Sequence, residues 1–317
     1  MPNVSVIVPV YGVERYIERC ARSLFEQTLD DLEFIFVDDC TKDNSIRVLE
    51  RVIEDYPNRK EQIKILHHEH NKGLSHARET GVNTATGEYI AHCDSDDWVE
   101  IEMYAEMYKK AKESDSDFIK CGYCSSDGAS KSFVVNVYFE QQNIDRDNII
   151  RYLLLRKGWN SIWNTLVKRE LYENVLYTDN AMLEDFYVTT QLILKSEKFA
   201  VVNKPFYNYY SNPNSICGVT DPNAVISRSV QAAENITDIL TFIRMQYGER
   251  YKREELSLMF VPRLILIPIM HHYKYYPTWW KTKPSCTLRF LMSKDISLVY
   301  KLWYLQVELL LRPLMKS

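Results

Sequence analysis

Glycine is scarce in this chain, nine residues in 317. The turn after the first apolar run reads VYGVERY, with one glycine where a G-x-G-x-x-G dinucleotide fingerprint needs three, and no G-x-x-x-x-G-K-[ST] phosphate loop occurs. Nicotinamide, flavin and P-loop chemistry are therefore disfavoured, and a bound nucleotide has to be held by acids and a cation instead of a glycine cradle. Long hydrophobic runs are also missing. The most apolar stretch, residues 256–270, is interrupted by Pro262, Arg263 and Pro268, and falls short of the roughly 20 apolar residues that a membrane-spanning helix needs. Met1 leads straight into PNVSVIVPVY with no basic leader, so a secretory signal is not expected. The seven cysteines (20, 40, 93, 121, 124, 217 and 286) are odd in number and scattered, which fits reduced thiols in a cytoplasmic protein. Cys121 and Cys124 have metal-ligand spacing but no second pair, and read as packing residues. No basic excess exists, with 39 basic against 43 acidic residues, so nucleic acid is not an expected partner.

What is present is unevenly spread. Residues 1–150 hold 29 acids and 17 bases, and residues 151–317 hold 14 acids and 22 bases. A hydrophobic content of 46% with 26% charged residues argues for a globular chain. The length suggests two domains or one large α/β unit.

Short β-branched runs alternate with helical periodicity through the first half. VSVIVPVY (4–11), LEFIFVDD (32–39), IKILHH (63–68), EYIAHCDSDD (88–97) and DFIKCGY (117–123) read as strands. Segments near 14–27, 46–53, 75–85 and 100–113 read as helices. This alternation predicts an α/β fold, a mostly parallel sheet flanked by helices. Ligands in such sheets sit beyond the carboxyl ends of the strands, where Tyr11 and Gly12, Asp38 and Asp39, Asn71 to Gly73, and Asp94 to Asp97 converge.

The cluster Asp94-Ser95-Asp96-Asp97 places three carboxylates within four residues, and their mutual repulsion is relieved by a divalent cation. Mg²⁺ or Mn²⁺ takes one or two carboxylates and completes its shell with phosphates and water. The competing reading is a solvated loop, with Asp97 as a helix cap before Trp98. Asp38 and Asp39 suit ribose hydroxyls or a pyrimidine N–H. His67, His68, His70 and His76 match no zinc spacing and read as surface or pocket-rim residues. His271 and His272 read as part of a partly exposed helix.

At this point the residues carry a likeness. VSVIVPVYGVERYIERCARSLFEQTLDDLEFIFVDDCTKDNS followed by NKGLSHARETGVNTATGEYIAHCDSDDW, covering about residues 3–98, resembles the family 2 glycosyltransferases of the GT-A fold. A weaker likeness, seen in bacterial members, runs through WNTLVKREL (163–171), LEDFYVTTQLI (183–193) and PFYNYYSNPNSI (205–216). The resemblance implies that Asp39, with Asp38 beside it, contacts the nucleotide base, and that Pro9 and Tyr11 line the same pocket. It implies that Arg78 meets the nucleotide, Asp94 lies near the ribose and Asp96 ligates the metal. Asp185 is implied as the catalytic base, with Glu184 on the acceptor side. Two positions depart from the pattern: Cys40 stands where glycine is commonest, and Thr165 where lysine often follows the asparagine of Trp163-Asn164.

The implied activity is inverting transfer of a sugar from a nucleotide-diphosphate sugar, a UDP-sugar at the family level. The acceptor is a hydroxyl of a glycan or a lipid-linked molecule in cell-surface polysaccharide biosynthesis. A nucleotidyltransferase is the rival enzyme, but it normally carries a glycine-rich basic loop after the first strand. A non-catalytic sugar-nucleotide-binding protein is the rival of another class, and the intact Asp39, Asp96 and Asp185 argue against it. The expected division is a nucleotide-sugar-binding half (1–125), an acceptor-binding part (126–220) and a helical C-terminal region (221–317). Residues 256–317 hold nine bases and two acids, and Ile296, Val299, Trp303, Val307 and Leu310 share one helical face. That pattern suits a peripheral helix at the inner face of the cell membrane, or packing on the same domain or a second subunit.

Overall fold

The computed structural model describes residues 1–126, 131–134, 145–156, 160–212, 215, 221–259, 261–266, 301 and 305. Strand β1 (Val4–Val10) is buried along its whole length, as its unbroken β-branched run requires. It lies between β2 (Leu32–Asp38) and the later β4 (Tyr89–His92), and β3 (Ile63–His67) lies beyond β2; all four are parallel. Their register pairs Val10 with Asp38 and Asp38 with His67, so the carboxyl ends finish at one edge.

The expected strand over 88–97 is interrupted. β4 stops at His92, residues 93–97 form a turn in which the Asp97 N–H donates to the Asp94 carbonyl at 3.0 Å, and β5 (Trp98–Val99) begins after it. The remaining strands are β6 (Phe118–Ser126), β7 (Lys131–Val134), β8 (Thr165–Lys168) and β9 (Phe199–Tyr210). The order β3-β2-β1-β4-β8-β6-β9-β5, with β7 also on β6, makes a mixed sheet. β8 is inserted antiparallel to both neighbours, between β4 and β6.

The helices are α1 (Ile17–Phe25), α2 (Ser45–Glu54), α3 (Leu74–Thr84), α4 (Met103–Ser114), α5 (Arg146–Leu154), α6 (Glu184–Lys195), α7 (Pro222–Tyr247), α8 (Glu255–Met259) and α9 (Val261–Leu266). Strand alternation sorts them into two layers. Val4, Val6, Val8, Val10, Phe34 and Phe36 pack with apolar residues of α1, α2 and α4. Ile7, Ile35 and Val37 pack with those of α3, α5, α6 and α7. Gly81 lets α3 approach the sheet closely, because a Cβ there would lie 2.4 Å from Ile7 Cγ2.

Leu258, Val261 and Leu266, from the apolar run at 256–270, are buried, and the Ser229 hydroxyl of α7 donates to the Pro262 carbonyl at 2.8 Å. The helix expected over 296–312 and the pair His271–His272 lie outside the described residues, apart from positions 301 and 305. Among the described residues no helix is long and apolar enough to cross a membrane. Cys121 and Cys124 are buried, as packing residues should be.

The departure at Cys40 has a backbone consequence. Its φ is +59°, in the left-handed region that glycine enters freely. A side chain there costs about 1–2 kcal/mol, and glycine's extra unfolded-state freedom takes back about 0.5–1 kcal/mol. Cys40→Gly is therefore expected to raise stability by up to about 1 kcal/mol in urea unfolding. A lower stability would mean that the thiol contributes packing that outweighs the backbone strain.

Candidate active site

The strand ends bring the first acids together. Asp38 is partly exposed; its carboxylate accepts from the Thr41 N–H at 2.8 Å and lies 2.9 Å from His67 Nδ1. Asp39 is buried, and its Oδ1 takes the Lys72 N–H at 2.7 Å and faces His68 Nδ1 at 2.8 Å, while Oδ2 takes the Gly73 N–H at 2.9 Å. Asp39 thus fastens the Asn71–Gly73 loop onto the end of β2. His68 is not a rim residue: it is buried between Asp39 and the Thr80 hydroxyl, 2.8 Å from each. His67 and His70 are exposed, and His76 is partly buried between Glu79 and Asp179. Pro9 is buried inside β1, and Tyr11 stands 50% exposed just past the end of β1, whose last residue, Val10, pairs with Asp38.

The acidic turn alternates in burial. Asp94 and Asp96 are partly exposed, whereas Ser95 and Asp97 are buried. Asp97 caps no helix. Its carboxylate accepts from the Tyr207 hydroxyl and the Tyr210 N–H, both at 2.6 Å, so it clamps β9 beneath the turn. The Asp96 carboxylate takes a 3.0 Å bond from Asn212, and its pKa is pushed up by burial and then by Asp94. Arg19 reaches over from α1, its guanidinium 3.8 Å above the Trp98 ring and Nη2 donating to the Asp96 carbonyl at 2.7 Å.

Arg78 joins this turn to the other half of the site. It is 1% exposed; Nη2 donates to Asp94 Oδ1 at 2.8 Å and Nε to Glu184 Oε1 at 3.2 Å. Burial works against its charge, but Glu184 and Asp94 outweigh burial and keep it protonated. Glu184 and Asp185 open α6, behind Leu183 at φ +67°. Holding a leucine there costs about 1–2 kcal/mol, and the turn it makes leads both acids into the site. Glu184 is buried and Asp185 partly exposed, with Oδ1 accepting the Phe186 N–H at 2.7 Å. Burial pushes the Asp185 carboxyl up to about 6, against the pull of Arg78. Burial also raises Glu184, again against Arg78.

Two features around β8 escape sequence reasoning. Trp163 stacks on Tyr207 at 4.4 Å between centroids, with Tyr209 at 5.7 Å. Lys120 in β6 is buried and lies directly across from Thr165 in β8, where the resemblance leads one to look for a lysine. A lone lysine inside an apolar strand was the available signal.

The donor set fits a hard cation in part. Among the described residues no three His, Cys, Asp or Glu come together as a shell. Asp97 is consumed by its two donors, which leaves Asp96, and Asp94 beside it, as the oxygens that a cation could share with phosphates and water. The raised pKa of Asp96 next to Asp94 is the repulsion that such a cation would relieve.

A parallel half extended by an antiparallel insertion, with an acidic turn facing a buried Arg–Glu pair, defines a GT-A fold protein. The chain belongs to the family described as Glycosyl transferase family 2, whose model matches residues 5–176. It is 33% identical over 223 residues to the uncharacterized glycosyltransferase EpsJ of Bacillus subtilis (strain 168), covering 68% of this chain and 63% of EpsJ. The match thus spans less than two thirds of that relative. In fold it resembles S. aureus TarS 1–349 in complex with UDP-GlcNAc, at TM-score 0.61 and 17% identity over 89% of each chain. It also resembles the mannosyltransferase PcManGT from Pyrobaculum calidifontis in complex with GDP-Man and Mn²⁺, at TM-score 0.58 and 16% identity over 97% of this chain and 84% of that one. The family match takes in Asp38, Asp39, Arg78, Asp94 and Asp96 and ends before Glu184.

Proposed function

We propose that this chain is a metal-dependent, inverting glycosyltransferase. It would move a sugar from a nucleotide-diphosphate sugar, by preference a UDP-sugar, to a hydroxyl of a glycan or lipid-linked acceptor in cell-surface polysaccharide biosynthesis. The observation that carries this reading is Arg78, bonded at once to Asp94 of the acidic turn and to Glu184 beside Asp185. A module that only bound nucleotide would have no use for a second buried acidic pair tied to its metal turn. TarS with UDP-GlcNAc and PcManGT with GDP-Man and Mn²⁺ support a diphosphate-sugar donor and a divalent cation.

In this reading Tyr11 stacks on the base, Asp39 contacts it through the remaining lone pair of Oδ2 with Asp38 beside it, and Asp94 lies near the ribose. A Mn²⁺ or Mg²⁺ ion held by Asp96, with Asp94 beside it, would offset the charge of the departing diphosphate. The acceptor oxygen attacks C1 of the sugar from the face opposite the diphosphate. The new C1–O bond forms as the old one breaks, the configuration inverts, and the hydroxyl proton passes to Asp185. A carboxylate near 6 is ionised at neutral pH and more basic than an ordinary aspartate. Residues 1–125 would serve the donor, 126–220 the acceptor, and the basic tail within 221–317 a membrane surface at the cytoplasmic face.

Thermal unfolding with UDP-, GDP- and dTDP-sugars, each with and without Mn²⁺, tests the reading. One sugar nucleotide is expected to stabilise the protein, more so with Mn²⁺. Asp96→Ala is expected to remove the Mn²⁺-dependent part and to slow donor hydrolysis by about 10²–10³-fold. No stabilisation by any sugar nucleotide contradicts the reading. Equal Mn²⁺ response in the variant contradicts the role of Asp96.

A further inference from the structure

We propose that Asn235 of α7 is a positioning residue for the catalytic base: its carboxamide pins the peptide ahead of Leu183 and so fixes where α6 delivers Asp185. The inference rests on the glycosyl-transfer reading above and deepens it.

Asn235 is wholly buried, on a helix face shared with Ala232, Ile236 and Ile239. It lies beyond residues 5–176, which the family match covers. Its carboxamide bonds run to one segment, residues 178–182, just ahead of the acidic pair. Nδ2 donates to the Met182 carbonyl at 2.9 Å and to the Asn180 carbonyl at 3.4 Å. Oδ1 accepts the Thr178 hydroxyl at 2.8 Å and Asn180 Nδ2 at 3.4 Å. Gln231, one turn earlier on α7, accepts the Met182 N–H at 3.2 Å. The other side of the segment is tied to α3, where the Ser75 hydroxyl accepts the Thr178 N–H at 3.2 Å. An amide on so apolar a helix face is costly unless it is hydrogen-bonded, and here every one of those bonds is spent on this segment.

The Met182 carbonyl belongs to the peptide that joins Met182 to Leu183. Leu183 sits at φ +67°, where a leucine is disfavoured. Rotation of that peptide is what would let Leu183 relax, and the bond from Asn235 opposes it. The start of α6 depends on the turn, because the Leu183 carbonyl accepts the Tyr187 N–H at 3.0 Å, the first bond of the helix. Glu184 has a second hold, from Arg78. Asp185 has no such hold: among the described residues its carboxylate is hydrogen-bonded only to the Phe186 N–H of its own helix, at 2.7 Å. Its place beside an acceptor hydroxyl is therefore set by the backbone that enters α6. A misplacement of about 1 Å can cost about 10²-fold in rate.

The test reads hydrogen exchange by mass spectrometry over residues 180–187, beside Mn²⁺-dependent hydrolysis of UDP-GlcNAc and GDP-Man. Asn235→Ala deletes the bonds, and Asn235→Ser, a milder change whose hydroxyl is one bond shorter, guards against a variant that fails to fold. Each is expected to speed exchange over 180–187 about tenfold and to lower kcat about 10–100-fold, with Kd for UDP·Mn²⁺ within about twofold. Adding Leu183→Gly removes the reason for the turn to relax, since glycine enters the left-handed region freely. It should recover about fivefold or more in kcat, the factor set by the lower bound of the left-handed penalty, and slow the exchange again. A side chain that served stability alone would not be rescued by deleting the Leu183 side chain. Ile243→Ala, two turns on along α7 and also wholly buried, is the control: it should lower the melting temperature yet leave exchange over 180–187 and kcat as in wild type. Unchanged exchange in both Asn235 variants, no recovery with Leu183→Gly, or the same effects from Ile243→Ala overturns the proposal. Wild-type protein that hydrolyses neither donor counts against the choice of donor and transfer reading, while the exchange still decides whether Asn235 holds the turn.

Discussion

Asp185→Asn is expected to keep donor affinity within about twofold and to lose transfer by about 10²–10⁴-fold, the range that a positioned general base contributes. The asparagine can still accept the Phe186 N–H that holds Oδ1 at 2.7 Å, so the start of α6 should keep its shape. What it cannot do is take the proton of an acceptor hydroxyl. The pH dependence follows from the direction of the shift. Burial raises the carboxyl to about 6, so the active, ionised form dominates above that value and activity falls as pH drops through it. The wild type should therefore show an acid limb near 6, well above the ordinary aspartate value of about 3.9, and the residual rate of the variant should lack it. Unchanged turnover in Asp185→Asn would remove Asp185 from the chemistry.

Arg78→Met is expected to be the most destabilising single change in the site. Methionine fills much of the arginine's volume but leaves Glu184 buried without a partner and Asp94 without its counter-charge. Breaking a buried ion pair from one side costs about 3–5 kcal/mol. At about 2–4 °C per kcal/mol for a protein of this size class, the melting temperature should fall by roughly 10 °C. The companion variant Arg78→Met with Glu184→Met should recover part of that loss, because the uncompensated carboxylate is gone. A single variant that melts within about 2 °C of wild type would show that the pair carries little of the stability of the site.

The parallel half of the fold was legible because its strands are buried on both faces and carry continuous β-branched runs, as β1 does. The acids at their ends were legible for the same reason, since a buried run that stops in Asp-Asp or Asp-Ser-Asp-Asp marks where the sheet edge meets solvent. The insertion of β8 between β4 and β6 was not. Thr165–Lys168 is a four-residue strand whose two antiparallel partners lie more than forty residues away in sequence, and nothing local in so short a segment specifies that pairing. The competing reading of Asp97 as a cap fails because its donors, the Tyr207 hydroxyl and the Tyr210 N–H, come from β9. His68 looked like a surface residue until Asp39 and Thr80 enclosed it. Arg78 was expected at the nucleotide. Its burial between acids from two distant segments, Asp94 and Glu184, exists only once α3 is pressed against β1 at Gly81.

The most direct measurement is ¹H NMR of the sugar first released when wild-type protein and Mn²⁺ hydrolyse an α-linked UDP-sugar, read before mutarotation scrambles the anomers. A single displacement with Asp185 as base and water in place of the acceptor releases the β-anomer first. Early release of the α-anomer would contradict it, because retention means that water did not enter C1 from the face opposite the departing diphosphate.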